Sequence, residues 1–261
     1  IEKYLGNNLT SFAKTSGTFG TYYQITNLKP DSIKPTAGLL ASVTYKGYLL
    51  SKLNDGSVVK GNLFDATTTV SKPLIFGIDN TFVIQGFNDA VKQMRKGEKA
   101  TFLLPSCLAF GSRESYQGQI PAYATLLFED VELLDVRTED QVLQQYIKAN
   151  NIVVTTKTSS GLYYASLSPG TGNFPTDNQN ITVSYVLKFA TDGTIVQQNP
   201  AFPSVLSNLI DGWKEGIKLM KVGEKAILLM PSSLAYKSTG SGAIPPYTPL
   251  VFEITLISAT G

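Results

Sequence analysis

The sequence contains no histidine, and this absence excludes more chemistry than any other feature of its composition. Ser-His-Asp and Cys-His nucleophile systems, histidine general bases and histidine-containing zinc sites all require that side chain. The single cysteine, Cys107, cannot form a disulfide within the chain, and a lone thiol leaves the redox compartment undecided. No cation adjoins Cys107 in the sequence to activate the thiol. We therefore expect Cys107 to be a small buried apolar residue.

Long apolar runs and a strong charge of either sign are also missing. No stretch approaches the roughly 20 apolar residues that cross a bilayer, and residues 1–4 (Ile-Glu-Lys-Tyr) do not resemble the start of a secretory signal. Lysine and arginine number 22 against 20 acidic residues, and no basic run marks a phosphate-binding face. The composition therefore predicts no transmembrane segment and no nucleic-acid partner. An apolar content of 43% excludes disorder and allows one large core or two ordinary ones.

The most informative pattern that is present is an internal repeat at a domain-sized spacing. Matched pairs of residues, 141 to 124 positions apart, are Tyr22 with Tyr163, Val43 with Val183, Gly86 with Gly212, Pro105 with Pro231 and Ile120 with Ile244. The spacing falls in steps, which indicates extra residues in loops of the first copy, chiefly between Tyr45 and Gly86. We predict two tandem domains of one fold, residues 1–136 and 137–261, each with its own core.

Each copy is predicted to begin with an extension made of a helix and a strand. Residues 138–141 (Thr-Glu-Asp-Gln) form a capping box, which satisfies the free backbone groups at a helix start. Residues 4–8 (Tyr-Leu-Gly-Asn-Asn) resemble the end of the equivalent helix in the first copy. On this interpretation the chain begins inside that helix, and the natural product has residues upstream of Ile1, with a trimmed leader as one explanation.

Each copy carries one apolar stripe with helical spacing, followed by glycine where a left-handed cap is expected. The stripes are Phe87, Ala90, Val91 and Met94 before Gly97, and Trp213, Gly216, Ile217 and Met220 before Gly223. The closing strands are predicted at residues 99–104, 126–134, 225–230 and 250–257. Because strands outnumber helices, we predict an α+β fold in which each domain is a curled antiparallel sheet wrapped on one short helix.

The ordered motifs of both copies resemble the FKBP family, the macrolide-binding immunophilins that isomerise Xaa-Pro bonds. In the first copy the motifs are residues 83–87 (Val-Ile-Gln-Gly-Phe), 94–100 (Met-Arg-Lys-Gly-Glu-Lys-Ala), 109–111 (Ala-Phe-Gly), 120–121 (Ile-Pro) and 124–128 (Ala-Thr-Leu-Leu-Phe). In the second copy they are residues 209–213 (Leu-Ile-Asp-Gly-Trp), 220–226 (Met-Lys-Val-Gly-Glu-Lys-Ala), 235–236 (Ala-Tyr) and 244–246 (Ile-Pro-Pro). The fold is thus expected to be two tandem FKBP-like domains, with extensions similar to those of tandem members from bacterial envelopes.

The resemblance implies an apolar pocket in each domain, with a substrate proline resting on an aromatic floor. The implied catalytic residues are Tyr45, Phe64, Asp65, Ile84, Phe87, Phe110, Ile120 and Phe128 in the first domain, and Tyr185, Ile210, Trp213, Tyr236, Ile244 and Phe252 in the second. The implied substrate-binding residues are Leu74, Val83 and Leu209. Phe87 and Trp213 would be the floors, and the amides of Ile84 and Ile210 would hold a substrate carbonyl.

The two copies depart from the family pattern at different positions. The first keeps the Phe64-Asp65 pair but has Phe87 for the floor indole and Phe110 for a loop tyrosine. The second keeps Trp213 and Tyr236 but has no such pair in residues 192–197. By alignment, Leu74 takes the place of a pocket phenylalanine in the first copy and Pro200 in the second.

The resemblance leaves an enzyme and a binding module as alternative hypotheses. The first is a tandem peptidyl-prolyl cis-trans isomerase that assists folding, with no cofactor and no metal. The second is a non-catalytic peptide-binding or chaperone module, and a pure scaffold is a third. Implied partners are proline-containing peptides or unfolded protein clients, with macrolide inhibitors also in scope. The implied location is a bacterial cell envelope or periplasm, with lipid anchoring before trimming.

Overall fold

The chain forms two compact units, Ile1–Arg137 and Thr138–Gly261. A computed structural model describes residues 1–17, 19–80, 82–115 and 118–261. Each unit has its own cluster of buried apolar residues. None of the helices in those described ranges has the length and apolar character needed to cross a membrane.

The first unit is one antiparallel sheet with a short helix against it. Its helices are α1 (Glu2–Leu5) and α2 (Gln85–Val91), and its strands are β1 (Ala13–Lys14), β2 (Tyr22–Thr26), β3 (Leu40–Lys52), β4 (Val58–Thr67), β5 (Leu74–Gly77), β6 (Lys99–Leu104) and β7 (Leu126–Arg137). The strand order is β1-β2-β6-β7-β3-β4, and β5 also pairs with β3.

The second unit repeats this plan with one fewer strand. Its elements are α3 (Glu139–Ala149), β8 (Thr156–Lys157), β9 (Tyr163–Ser168), β10 (Asn180–Phe189), β11 (Ile195–Val205), α4 (Asp211–Ile217), β12 (Lys225–Met230) and β13 (Leu250–Thr260). The order is β11-β10-β13-β12-β9-β8. In the second unit the single strand β11 pairs along β10. In the first unit two separate strands, β4 and β5, pair along the equivalent strand β3. The extra residues of the first copy lie in its longer β3–β4 hairpin and in the segment between β4 and β5.

The strands follow from alternating apolar and polar residues. In β10, the residues Ile181, Val183, Tyr185 and Leu187 are buried, and the residues between them are only partly buried. Because successive side chains of a strand point to opposite faces, one face of β10 packs into the core. The predicted bounds of β6 and β12 match the structure, while β7 and β13 continue three residues beyond the predicted ends.

The helical stripes are buried as predicted, but the helices end earlier than the stripes do. Met94 and Met220 are fully buried, yet α2 ends at Val91 and α4 at Ile217. The amide of Met94 donates to the carbonyl of Val91, so the chain tightens into a 3₁₀-type turn there. Gly97 and Gly223 have the left-handed backbone, with φ of 85° and 90°, but they lie in the turns before β6 and β12. The expectation that they cap the helices is wrong, since right-handed Lys92 and Lys218 do so.

The extension of the first unit packs on its sheet, and that of the second unit begins with a capped helix. In the first unit Leu5 is buried against Leu103 and Leu127. In the second unit Thr138 caps α3, and the capping box with Gln141 is confirmed. The expectation for Cys107 is wrong because this residue is exposed, in the 3₁₀ turn Ser106–Leu108. The position of Cys107 in a turn leaves its side chain open to solvent, although that side chain is apolar.

Candidate functional site

The first unit contains a cavity of about 280 Å³ with aromatic walls. The aromatic residues that line it are Tyr45, Phe64, Phe82, Phe87, Phe110 and Phe128. The others are Leu74, Val83, Ile84 and Asp65. Its volume is near the lower end of the roughly 300–1,000 Å³ of small-molecule sites. The cavity is therefore suited to an apolar group of modest size.

Phe87, at the start of α2, is the floor of this cavity. Its side chain is 2% exposed, and its ring centre lies 4.9 Å from that of Phe128 and 5.4 Å from that of Tyr45. Phe76 and Phe102 contact the same ring, with centres 6.1 Å and 5.7 Å away. Tilted and edge-to-face pairs of this kind are favourable aromatic contacts. The Phe87 ring is thus held by core residues on one side, while Tyr45 and Phe128 beside it line the cavity.

One polar pair lies in the apolar lining. The hydroxyl of Tyr45 donates a hydrogen bond to Oδ2 of Asp65 over 2.5 Å. Register brings the two together, because Tyr45 and Asp65 lie on the paired strands β3 and β4, with Asp65 opposite Gly47. The cavity therefore has a negative group in its wall.

The segment before α2 adds a backbone group to the cavity. Ile84 is the residue before the helix, in the extended region, and its carbonyl accepts the amides of Phe87 and Asn88. Its own amide donates no hydrogen bond to any described residue. Since the first amides of a helix have no partner within it, an unpaired donor here is expected. A ligand carbonyl in the cavity can use it.

Two residues differ from the expected lining. Ile120 is 1% exposed and lies in the core cluster, and it is not among the residues that line the cavity. Phe82 lines the cavity and is 46% exposed, but it was not predicted. An apolar residue two positions before Ile84, in the loop that leads into the helix, was the available signal.

In the second unit Trp213 occupies the floor position at the start of α4. It is 4% exposed, and its ring centre lies 5.2 Å from those of both Tyr185 and Phe252, nearly perpendicular to each. Among the described residues, its indole N–H is buried without a hydrogen-bond partner. Unpaired buried donors are uncommon in folded proteins.

The assignment of Pro200 to the place of Leu74 is wrong. Leu74 pairs with Val43 on β3, and the residue that pairs with the equivalent Val183 on β10 is Phe202. The ring of Phe202 lies 6.2 Å from that of Trp213 and 5.9 Å from that of Tyr185. Alignment by spacing missed this because the β10–β11 register shifts at irregular points. The second unit therefore keeps a phenylalanine where the first has leucine.

The register also identifies what replaces the Phe64-Asp65 pair. Gln197 pairs with Leu187, as Asp65 pairs with Gly47. The residue before it, Val196, packs against the core of the second unit. Leu187 and Val196 thus stand where the first unit has Gly47 and Phe64. The neutral amide of Gln197 stands in place of the Asp65 carboxylate.

The remaining predicted residues of the second unit belong to the core cluster that contains Trp213 or pack against it. Ile244 is buried, and Leu209, Ile210 and Tyr236 are partly buried against the core cluster. Burial raises the pKa of Tyr236, and burial together with the nearby Tyr236 raises that of Tyr185. Both phenols therefore remain protonated donors at neutral pH.

An ion-pair group borders these residues. Asp211, which follows Ile210, contacts Nζ of Lys214 at 2.7 Å and Nζ of Lys237 at 3.1 Å. Lys237 follows Tyr236 in the sequence. The lysines lower the pKa of Asp211, so its carboxylate stays charged. Asp177, Glu215 and Lys218 line the same surface opening as Asp211 and Lys214, so acidic and basic side chains are both present there.

The extension helix α3 holds the loop that leads to Tyr236. The carboxylate of Glu139 accepts hydrogen bonds from the amide and the hydroxyl of Ser232, at 2.5 and 2.6 Å. Ser232 starts the 3₁₀ turn Ser232–Leu234. Burial nevertheless raises the pKa of Glu139, because desolvation outweighs these two hydrogen bonds.

We expect Glu139→Gln to change how the stability of the second unit depends on pH. The pKa of Glu139 is raised on folding, so the folded state binds the proton more tightly and the wild-type free energy of unfolding falls as pH rises through the titration. Glutamine removes this titration and can still bond Ser232. The variant should therefore gain stability relative to wild type as pH rises above the ordinary glutamate pKa of about 4.3. Urea unfolding followed by Trp213 fluorescence checks this; a stability difference that is constant with pH contradicts it.

These two units, each a sheet around a short helix with an aromatic residue at the helix start, define an FKBP-type fold. The sequence matches the profile of the FKBP-type peptidyl-prolyl cis-trans isomerase family over residues 31–134 and 171–257. The chain therefore belongs to this family.

Several of the relatives are bacterial proteins of moderate identity. The chain is 35% identical over 131 residues to the probable FKBP-type peptidyl-prolyl cis-trans isomerase FkpA of Neisseria meningitidis, which is 47% of each protein. It is 33% identical over 174 residues to the FKBP-type 22 kDa peptidyl-prolyl cis-trans isomerase of Escherichia coli, covering 59% of this chain and 83% of that protein. Identity to FkpA of Aeromonas hydrophila is 38% over 122 residues, 44% of each. The chain thus spans less than half of the two FkpA proteins.

Proposed function

We propose that this protein is a peptidyl-prolyl cis-trans isomerase that acts on Xaa-Pro bonds in peptides and unfolded protein clients. The observation that carries the proposal is the cavity of the first unit, with its aromatic floor and walls. The amide of Ile84, which has no partner among the described residues, and the hydrogen bond between Tyr45 and Asp65 lie beside apolar surface, an arrangement that suits a proline ring next to a peptide carbonyl. Family membership supports the same activity.

The chemistry needs no proton transfer. Rotation about a prolyl bond has a barrier of about 20 kcal/mol, because the nitrogen lone pair is conjugated with the carbonyl. The twisted state has lost this conjugation, and its less polar carbonyl needs less solvation. An apolar cavity therefore stabilises the twisted state relative to the planar one. Lowering the barrier by about 5 to 7 kcal/mol accelerates the step by roughly four to five decades.

In the first pocket, the floor would be Phe87 and the walls Tyr45, Phe64, Phe110 and Phe128. The amide of Ile84 would hold the carbonyl, with Leu74 and Val83 beside the substrate. Asp65 would orient the hydroxyl of Tyr45, as their hydrogen bond supports. Ile120, being buried in the core, would act by supporting the loop.

In the second pocket, the floor would be Trp213, with Tyr185, Tyr236 and Phe252 around it and Phe202 as a further wall. The amide of Ile210 would hold the carbonyl, Leu209 would contact the substrate, and Ile244 would support the loop. The ring contacts of Trp213 support this arrangement.

The test is the exchange rate of a short Xaa-Pro peptide, measured by NMR without a coupled protease. We expect wild type to accelerate exchange and the Phe87→Leu, Trp213→Leu double variant to lose at least about tenfold, because both aromatic floors are removed. Phe76→Leu is the matched control, since Phe76 is buried against Phe87 and does not line the cavity. It should keep most of the wild-type rate.

Exchange at the background rate with wild type contradicts the proposal for that peptide. If the peptide then still shifts the amides of Ile84 and Ile210, the protein is a binding module. The replacement of Asp65 by Gln197 in the second unit favours this alternative for that pocket.

The wider context is proposed by resemblance to the bacterial relatives. We propose a location in a bacterial envelope or periplasm, a role in assisting protein folding without a cofactor, and macrolides among the ligands. The two domains are proposed at residues 1–136 and 137–261, each with an N-terminal extension.

A further inference from the structure

The backbone around Tyr236 in the second unit is tied to the 3₁₀ turn that precedes it. The carbonyl of Ser232 accepts hydrogen bonds from the amides of Ala235 and Lys237, at 2.9 Å each. These two residues lie on either side of Tyr236, whose side chain is partly buried against the core cluster of this unit. A shift of Ser232 would therefore move the chain on both sides of this phenol.

Glu139, the first residue of α3, holds Ser232 from the other side. One oxygen of its carboxylate accepts the amide of Ser232 at 2.5 Å, and the other accepts the hydroxyl at 2.6 Å. Ser232 is 5% exposed, so removal of the carboxylate would leave a buried amide and a buried hydroxyl without these partners. Because unsatisfied buried donors are costly, the turn would have to move toward solvent or toward another acceptor.

The first unit has the same turn without this contact. The carbonyl of Ser106 accepts the amides of Ala109 and Gly111, which lie on either side of Phe110. Among the described residues, no carboxylate accepts a hydrogen bond from Ser106. The first pocket is therefore an internal reference for what Glu139 adds to the second.

We infer that Glu139 is a positioning residue of the second pocket: through Ser232 it holds Tyr236 in place, so that substrate binding there depends on the extension helix. The inference rests on the proposed function and adds a residue from outside the pocket lining. A wall that is already held in position binds a ligand more tightly than a wall that must be ordered when the ligand arrives. Small displacements of supporting groups have large effects for the same reason.

The experiment titrates the full chain, labelled with ¹⁵N, with the peptide Ala-Ala-Pro-Phe. The amides of Ile84 and Ile210 report the two pockets separately in one titration. Glu139→Ala should weaken binding at Ile210 by about tenfold and leave the affinity at Ile84 unchanged. Glu139→Gln should keep most of the wild-type affinity at Ile210, because the oxygen of its amide can still accept from Ser232.

The matched control is Asp140→Ala, in the same turn of α3. The carboxylate of Asp140 accepts the hydroxyl of Tyr163 and contacts Nζ of Lys157, both at 2.8 Å, and neither partner lies in the loop that carries Tyr236. This variant loosens the helix without removing a partner of Ser232. It should keep the affinity of wild type at Ile210.

A second measurement shows whether Glu139 acts through Tyr236. In a chain that already carries Tyr236→Ala, the further change Glu139→Ala should alter the affinity at Ile210 by less than about twofold. The side chain that Glu139 positions is then absent, and residues that act in one chain of contacts are not additive. A role confined to the stability of the fold would not produce this coupling.

The inference is overturned if Glu139→Ala binds the peptide at Ile210 as tightly as wild type, if Asp140→Ala weakens binding there equally, or if the tenfold loss persists in Tyr236→Ala. If Glu139→Ala unfolds the second unit, Ser232→Ala decides the question. It removes only the hydroxyl and should weaken binding at Ile210 by about threefold; an unchanged affinity overturns the inference.

Failure of the proposed function gives a different result. If wild type binds the peptide at Ile84 alone, the inference is overturned and the proposed function stands for the first pocket. If wild type binds at neither amide, the proposed function fails together with the inference.

Discussion

Replacement of Trp213 by alanine should lower the free energy of unfolding of the second unit by about 3 to 5 kcal/mol. Trp213 is almost fully buried and contacts the rings of Tyr185, Phe202 and Phe252. Because each unit has its own core, the unfolding transition of the first unit should stay in place. Urea unfolding, followed by amide NMR signals from each unit, measures the two transitions separately.

The control for this variant is Trp213→Phe, which copies the floor of the first unit. It keeps an aromatic ring and removes an indole N–H that is buried without a partner among the described residues, so it should lose less than half as much stability. Equal shifts of both transitions would contradict independent cores. Equal losses for alanine and phenylalanine would contradict the role of the ring contacts.

Gly47→Leu should narrow the first cavity and leave the second unit unchanged. A Cβ atom at position 47 would lie 2.7 Å from Cζ of Phe64 and 3.2 Å from Cε1 of Phe128, and both rings line the cavity. Their displacement should cost about 1 to 3 kcal/mol of stability and weaken Xaa-Pro peptide binding at the Ile84 amide by at least about tenfold. Urea unfolding and ¹⁵N NMR titration measure these two losses.

The second unit shows which additional substitution should compensate for Gly47→Leu. Leu187 stands at the position of Gly47, and Val196 precedes Gln197 as Phe64 precedes Asp65. The double variant Gly47→Leu, Phe64→Val copies this pair and should recover most of the lost stability, as expected for residues in contact. If the losses of the two single variants simply add, the two positions are not coupled and the explanation is wrong.

Much of the second site could be predicted from motif spacing, but its far wall could not. Trp213, Tyr185 and Phe252 lie on the helix α4 and the strands β10 and β13. The structure brings their rings together. Phe202 lies on a strand whose pairing includes irregular points, so counting residues from a motif selected Pro200. In the first unit Phe82 was missed for a different reason: an apolar loop residue two positions before Ile84 marks a candidate, but its place in the sequence does not show that the side chain turns toward a cavity.

The sequence by itself determined the repeat, the buried helical stripes and the bounds of β6 and β12, because these depend on residue type and local periodicity. It also determined that histidine-based chemistry is absent. Only the tertiary structure decided that Phe202 contacts Trp213, that Asp65 has Gln197 as its counterpart, and that Cys107 is exposed. Each depends on strand register or on the path of a turn, and one irregular pairing changes which residues face each other.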